Sequence, residues 1–272
     1  EVTLTADCDW RGLNLPIDFK VNLAGHTLRL ASLAGTGTIT DGVYQRLDFI
    51  RSTGTQWINT EVLASSMLQA EMDFASHAHT GDITVGVNNQ NNDNVDWRFF
   101  DYEKGVLFDY GNDRAGSTSA TPLTLNTRYV AQFGREVNTV YNRVYVKGND
   151  IPYADYLIAA SATVSAQPIG IFGGLGANNA VKYAQMSLYS LKLTDLVNGE
   201  RVTVRDFVPV RKMATGETGL LDLVNYVFYQ NNGTGTFTVG HSRASGEVGG
   251  SVVVDVPAGE QLFWLATDLR LE

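Results

Sequence analysis

Alternation of apolar and polar residues, repeated segment after segment, is what most constrains this chain. It runs through Leu68, Ala70, Met72 and Phe74, through Val106, Phe108 and Tyr110, through Tyr129, Ala131 and Phe133, and through Val252, Val254 and Val256. A period of two sends successive side chains to opposite faces, so each segment reads as a strand with one face buried. Turn-forming residues fall between the strands: Gly111-Asn112-Asp113, Gly148-Asn149-Asp150, Asn198-Gly199 and Pro257-Ala258-Gly259. Asn and Gly accept the positive φ that tight reversals need, and Pro interrupts a ladder. No window of helical length carries a 3.6-residue apolar period with caps. Many short strands with regular turns predict an all-β sandwich or barrel.

The 272-residue chain is 44% hydrophobic, enough for one large β core and something smaller beside it. Its formal net charge of −9 and the lack of any basic run argue against nucleic acid as a partner, because that affinity comes from clustered Lys and Arg displacing counterions. No apolar run approaches the ~20 residues of a membrane helix. The lone cysteine, Cys8, excludes an internal disulfide framework and a Cys-based zinc site, and its alternating surroundings read it as a small buried hydrophobe. The chain opens Glu-Val-Thr without a charged-then-apolar leader and reads as a fragment or processed form of a longer parent.

Two phrases far apart carry a family resemblance. Upstream stands Tyr44-Gln45-Arg46-Leu47-Asp48-Phe49-Ile50-Arg51-Ser52-Thr53-Gly54-Thr55-Gln56-Trp57-Ile58-Asn59-Thr60. Downstream stand Val204-Arg205-Asp206-Phe207-Val208-Pro209, then Gly219-Leu220-Leu221-Asp222-Leu223-Val224-Asn225-Tyr226-Val227-Phe228-Tyr229, then Gly233-Thr234-Gly235-Thr236-Phe237. Over residues 43–240 the chain resembles the laminin-G-like, concanavalin A-like modules of bacterial surface proteins and phage structural proteins. The resemblance implies a β-sandwich of jelly-roll type and an extracellular or cell-surface location. That sandwich hosts lectins, adhesion modules and glycanases alike, so it does not choose among them. In the downstream phrase Phe207, Leu221, Leu223, Val227 and Phe228 read as core, and Arg205 and Asp206 as facing opposite ways. Pro209 is expected to end its strand or to hold it at a sheet edge.

The two ends have another character. Val21-Asn22-Leu23-Ala24-Gly25-His26-Thr27-Leu28-Arg29-Leu30 and Leu33-Ala34-Gly35-Thr36-Gly37-Thr38-Ile39-Thr40-Asp41 are short strands broken by Gly. They resemble the stacked rungs of β-solenoid segments in autotransporter-like and adhesin passengers. The tail around Gly249-Gly250-Ser251-Val252-Val253-Val254 shares the pattern. The expectation is a solenoid-like half at 1–42, a sandwich at 43–240 and a half at 241–272 that packs with the first. The alternative is that both ends add strands to the sandwich.

Residues 88–102 are the first candidate site, with Asn94, Asp96, Trp97, Arg98 and Tyr102. Amides and carboxylates beside rings suit a saccharide: the ring face stacks on sugar C–H groups while Asn, Asp and Arg hold hydroxyls. Trp97, Tyr102 and Asp96 lead this expectation, followed by Asn94, Arg98, Trp57 and Tyr110. The alternative is a polar turn with Trp97 and Phe99 in the core. Asp93, Asn94, Asp96, Asp109, Asn112 and Asp113 also offer oxygen to calcium, which takes about 6–8 such donors, though their spacing is not that of an EF-hand and does not demand the ion. His77-Ala78-His79 lacks a third ligand of suitable spacing and reads as an exposed turn.

Glu71-Met72-Asp73-Phe74-Ala75-Ser76 resembles the Glu-x-Asp-x-x-Glu strand of jelly-roll glycanases, in which the first Glu is nucleophile and the last acid/base. Here Ser76 or Ala75 stands where the second Glu should be. A retaining mechanism needs both carboxyls ~5–5.5 Å apart across the sugar bond, so no catalytic residue is assigned. The buried row Leu68, Ala70, Met72 and Phe74 sends Gln69, Glu71 and Asp73 to the opposite face, either solvated or the floor of a shallow cleft. No nucleotide-binding Gly-rich loop or Gly-x-Ser-x-Gly elbow is present. The sequence therefore reads as a noncatalytic module that binds a polysaccharide, working with other modules of a longer parent. The alternatives are an adhesive, protein-binding spacer and a diverged glycoside hydrolase that pairs Glu71 with Asp101 or Glu103.

Overall fold

Every regular element that the described residues form is a strand, as the alternation requires. The computed structural model describes residues 2–10, 20–22, 27–30, 38–40, 44–81, 83–87, 96–117, 122–160, 168–175, 181–212, 215–240, 242–247, 251–255, 261–265 and 269–270. The chain divides into two units: Glu1–Asp48, Val210–Thr218 and His241–Glu272 in the first, Phe49–Pro209 and Gly219–Gly240 in the second.

The second unit holds two antiparallel sheets, consistent with a β-sandwich. The smaller runs in the order Asp113–Gly116, Gly105–Tyr110, Trp97–Tyr102, Ile83–Val87, Pro168–Ile171, Ile58–Leu63. The larger runs Pro152–Ala159, Thr139–Val146, Arg128–Glu136, Gln69–Ser76, Met186–Val197, Glu200–Lys212, Thr218–Asp222, Val227–Tyr229. Strand parity decides which side chains meet between them. Trp97, Phe99 and Phe108 of the smaller sheet meet Phe74 and Phe133 of the larger, and all five are fully buried. The Phe133 ring lies 4.8 Å from Phe99, 5.1 Å from Phe108 and 5.4 Å from Trp97. Ring pairs of this kind add about 0.5–1.5 kcal/mol each beyond the area they bury.

Turn chemistry sets the registers. Asn198 and Gly199 both take positive φ, 52° and 85°, and form the two-residue turn between paired Val197 and Glu200. Gly111, at φ 58°, is the first central residue between paired Tyr110 and Asp113. Val137 occupies the same kind of position between Glu136 and Thr139 at φ 48°, where a β-branched residue is strained. Val137→Gly is therefore expected to stabilise the protein by about 0.5–1 kcal/mol, read as a higher urea midpoint at unchanged slope.

Thr238–Val239 pairs with Ile50–Arg51, and Gly240 N donates to Phe49 O at 3.0 Å. The sandwich thus begins and ends at one place, the geometry an inserted module needs.

In the first unit, Val2 pairs in parallel with Val21, and Val21 with Ile39. Cys8 pairs in parallel with Leu28. Successive partners lie 18–20 residues apart in the sequence. Ser251–Asp255, from beyond the sandwich, stacks in parallel on Thr27–Leu30, and Leu269–Arg270 pairs antiparallel with Thr38–Thr40. Both chain ends therefore build this unit.

Several details depart from expectation. Tyr44–Leu47 and Val210–Thr218 belong to the first unit, because the strand Glu200–Lys212 does not stop at Pro209. Its pairing with Met186–Val197 ends at Phe207, and Val210–Lys212 pair instead with Tyr44–Arg46. Pro209, with no N–H to donate, sits where the partner changes rather than where the strand ends. Val227 is exposed and Leu223 and Phe228 only half-buried, since the turn after Asp222 lifts them from the core. Cys8 is partly exposed, with its thiol toward Ala6 O.

Candidate functional site

The outer face of the larger sheet carries the residues that the core alternation turns away. Cross-strand register sets Asp206 beside Lys192, Lys192 beside Glu71, Glu71 beside Gln132, Gln132 beside Arg143, and Arg143 beside Asp155. Opposite charges and one amide so placed support each other across the strands. The next row holds Asp73, Val130 and Tyr145. Asp73 is buried and gripped by Arg128 through both carboxylate oxygens, at 2.6 and 2.9 Å, and by Lys147 at 2.7 Å.

Over Val130, Gln132, Tyr145 and Lys147 lies a groove of about 540 Å³, which the turn Gly148-Asn149-Asp150 also lines. Asn149 Oδ1 accepts from Ile151 N at 2.9 Å, which fixes that turn. Gln132 Nε2 donates to Glu71 Oε2 at 2.9 Å, leaving its carbonyl oxygen and second N–H for a ligand. Val130 and Tyr145 line it together with the amide of Gln132, Lys147 and Asp150. Glu71, exposed beside Gln132, is on the face assigned to it by parity.

Of the seven residues expected at the site, six are described, and they fall in different surroundings. Trp97, Tyr110 and Trp57 are buried, so none offers a ring face to a sugar. Trp97 and Tyr110 share the inward parity of Phe99 and Phe108. Tyr110 OH donates to Ser66 O at 2.9 Å, and Asn231 Oδ1 holds Trp57 N at 3.2 Å. Tyr102 is half-buried, its ring close to Gly81. Asn94 lies outside the described residues, as does Asp93. Asp96 and Arg98 do line a pocket of about 280 Å³ with Asp109, Asp113 and Arg114. Their charges are spent on one another: Arg98 reaches Asp96 at 3.1 Å and Asp109 at 2.8 Å, and Arg114 reaches Asp109 at 2.6 Å. Among the described residues no three His, Cys, Asp or Glu converge to hold a metal ion.

Glu71 does not meet the carboxylates proposed to pair with it. Asp101 has the inward parity of Trp97 and Phe99 in the other sheet, where His79 Nδ1 binds it at 2.9 Å, and Glu103 sits in the turn beyond. Burial holds the Asp101 carboxyl above its usual range, opposed by the Ser76 hydroxyl and His79. Asp73, on the face of Glu71, is taken up by its contacts with Arg128 and Lys147.

At the other side of this face His77 bridges Asn126 and Ser187. Burial lowers its pKa from 6.5, against the Asn126 hydrogen bond that raises it, with the Arg51 charge lowering it further. The native state therefore binds the proton less readily than the unfolded chain. Stability from this group is complete above the unfolded value and is lost as pH falls below it. His77→Gln is expected to shrink the loss of unfolding free energy between pH 7.5 and pH 5.0, measured by urea titration at both.

No protein-family model matches the chain, and no curated protein matches it. Among the described residues, no helix is long and apolar enough to cross a membrane.

Proposed function

We propose that this chain is a noncatalytic polysaccharide-binding module of laminin-G, jelly-roll type, displayed by a longer secreted or surface-anchored parent. The observation that carries the reading is the outer groove, lined by Tyr145 and Val130 together with Gln132, Lys147 and Asp150. A pyranose presents C–H groups on its faces and hydroxyls at its edge, and this mixed lining matches that division. The open groove admits an internal stretch of polymer rather than a chain end. Glu71, beside the groove, accepts from Gln132 Nε2 and so orients the amide that lines it. Binding by one such groove is weak and rises by repetition along the parent.

The test is retention of the chain in gels cast with a panel of neutral, amino-sugar and uronate polysaccharides. Tyr145→Ala and Gln132→Ala are expected to lose about tenfold or more in affinity each, at unchanged unfolding free energy. Retention of both variants at the wild-type level would falsify the assignment.

A further inference from the structure

Ser187 Oγ lies 2.8 Å from His77 Nε2, and His77 Nδ1 lies 2.6 Å from Asn126 Oδ1. The Asn126 carbonyl can only accept, so Nδ1 carries the proton and the Nε2 lone pair faces the serine hydroxyl. Asn126 itself is held at φ 64°, with its N–H bound to Ser76 O at 2.8 Å, so the orienting amide is fixed by the backbone. Directly across the ladder from Ser187 stands Arg51, whose Nε is buried without a hydrogen-bond acceptor. Serine, base, orienting group and an unused cationic donor thus meet on the outer face, outside the groove.

We propose that Ser187 is an activated nucleophile that takes acyl groups from small esters, with His77 as its base and Asn126 as a positioning residue. Ser187 is only 1% exposed, beside the half-buried His77 and the exposed Asn126, and labelling reports whether a reagent reaches it. In the first step Oγ bonds to the acyl carbon and passes its proton to His77 Nε2, while the Arg51 guanidinium faces the oxyanion. The carbon–oxygen bond to the alcohol then breaks, and His77 returns the proton to the departing alkoxide. Water, deprotonated by the same imidazole, next adds to the acyl-serine, releases the carboxylic acid and restores Ser187. Ester and water are the only reactants. The glycan reading is independent of this chemistry, and loss of either leaves the other standing.

Incubation of the whole chain with a fluorophosphonate, followed by peptide mass spectrometry, tests the proposal, with hydrolysis of p-nitrophenyl acetate as a second readout. Wild type is expected to carry the phosphonyl group on Ser187 and Ser187→Ala to carry none. His77→Gln is expected to react about 100-fold more slowly. Asn126→Ala should also slow labelling, and Asn126→Asp should restore it, which a merely structural role for Asn126 would not produce. Wild-type protein unlabelled at Ser187, or labelled equally fast without His77, overturns the proposal whatever the variants' stability.

Discussion

Trp97→Ala is expected to cost about 3–5 kcal/mol of unfolding free energy, the largest effect of any single truncation considered. The indole is wholly buried, edge-on to Phe108 at 5.4 Å and tilted against Phe133 at 5.4 Å, so its removal leaves a cavity where the two sheets meet. Its Nε1–H has no hydrogen-bond partner. Trp97→Phe therefore gives up packing but no polar contact, and should cost well under half as much. Urea titrations of both variants separate the two roles once considered for this ring. A sugar-stacking tryptophan would lose binding at constant stability, and a core tryptophan loses stability itself.

Asp222→Ala carries the second large effect, about 2–4 kcal/mol. The side chain is fully buried, and its Oδ1 accepts from Asp206 N at 2.9 Å and Val224 N at 3.1 Å. The carboxylate thereby ties the strand Glu200–Lys212 to the turn Leu223–Tyr226, and Arg205 lies 3.4 Å from its other oxygen. Truncation strands two backbone donors and removes the charge beside Arg205 at once. Asp222→Asn keeps an oxygen acceptor and should recover most of the loss, so the pair of variants apportions the effect between hydrogen bonding and charge. The same contacts account for the acidic residue in the phrase Leu220-Leu221-Asp222-Leu223 without any ligand.

The strands and most of the core were legible because a period of two leaves little freedom once one face is apolar. Met72, Phe74, Phe108 and Phe133 all fell where alternation put them. The same parity, applied across Trp97, Phe99 and Tyr110, points all three inward. The neighbouring Asn and Asp residues drew attention to a segment whose rings belong to the core. The groove was harder to see, for Val130, Gln132, Tyr145 and Lys147 are outward positions of two strands and look like ordinary solvated sites until register sets them side by side. Nor did Glu136-Val137-Asn138-Thr139 announce a turn, because Val137 holds the first central position that Gly111 and Asn198 hold elsewhere. Pro209 was visible as an interruption, but a strand that changes partners and one that ends leave the same mark in a sequence. His77 and Ser187 are 110 residues apart, and only the pairing of Met186–Val197 with Gln69–Ser76 brings them together.

The most direct test of the groove is an isotope-labelled sample titrated with an oligosaccharide cut from whichever polysaccharide retains the protein, followed by amide chemical shifts. The groove account predicts that the shifts concentrate at Val130–Gln132 and Tyr145–Asp150, with Arg98, Asp109 and Arg114 unmoved at saturation. Shifts centred on Arg98 to Arg114, with the Tyr145 strand silent, would contradict it and return the site to the smaller sheet.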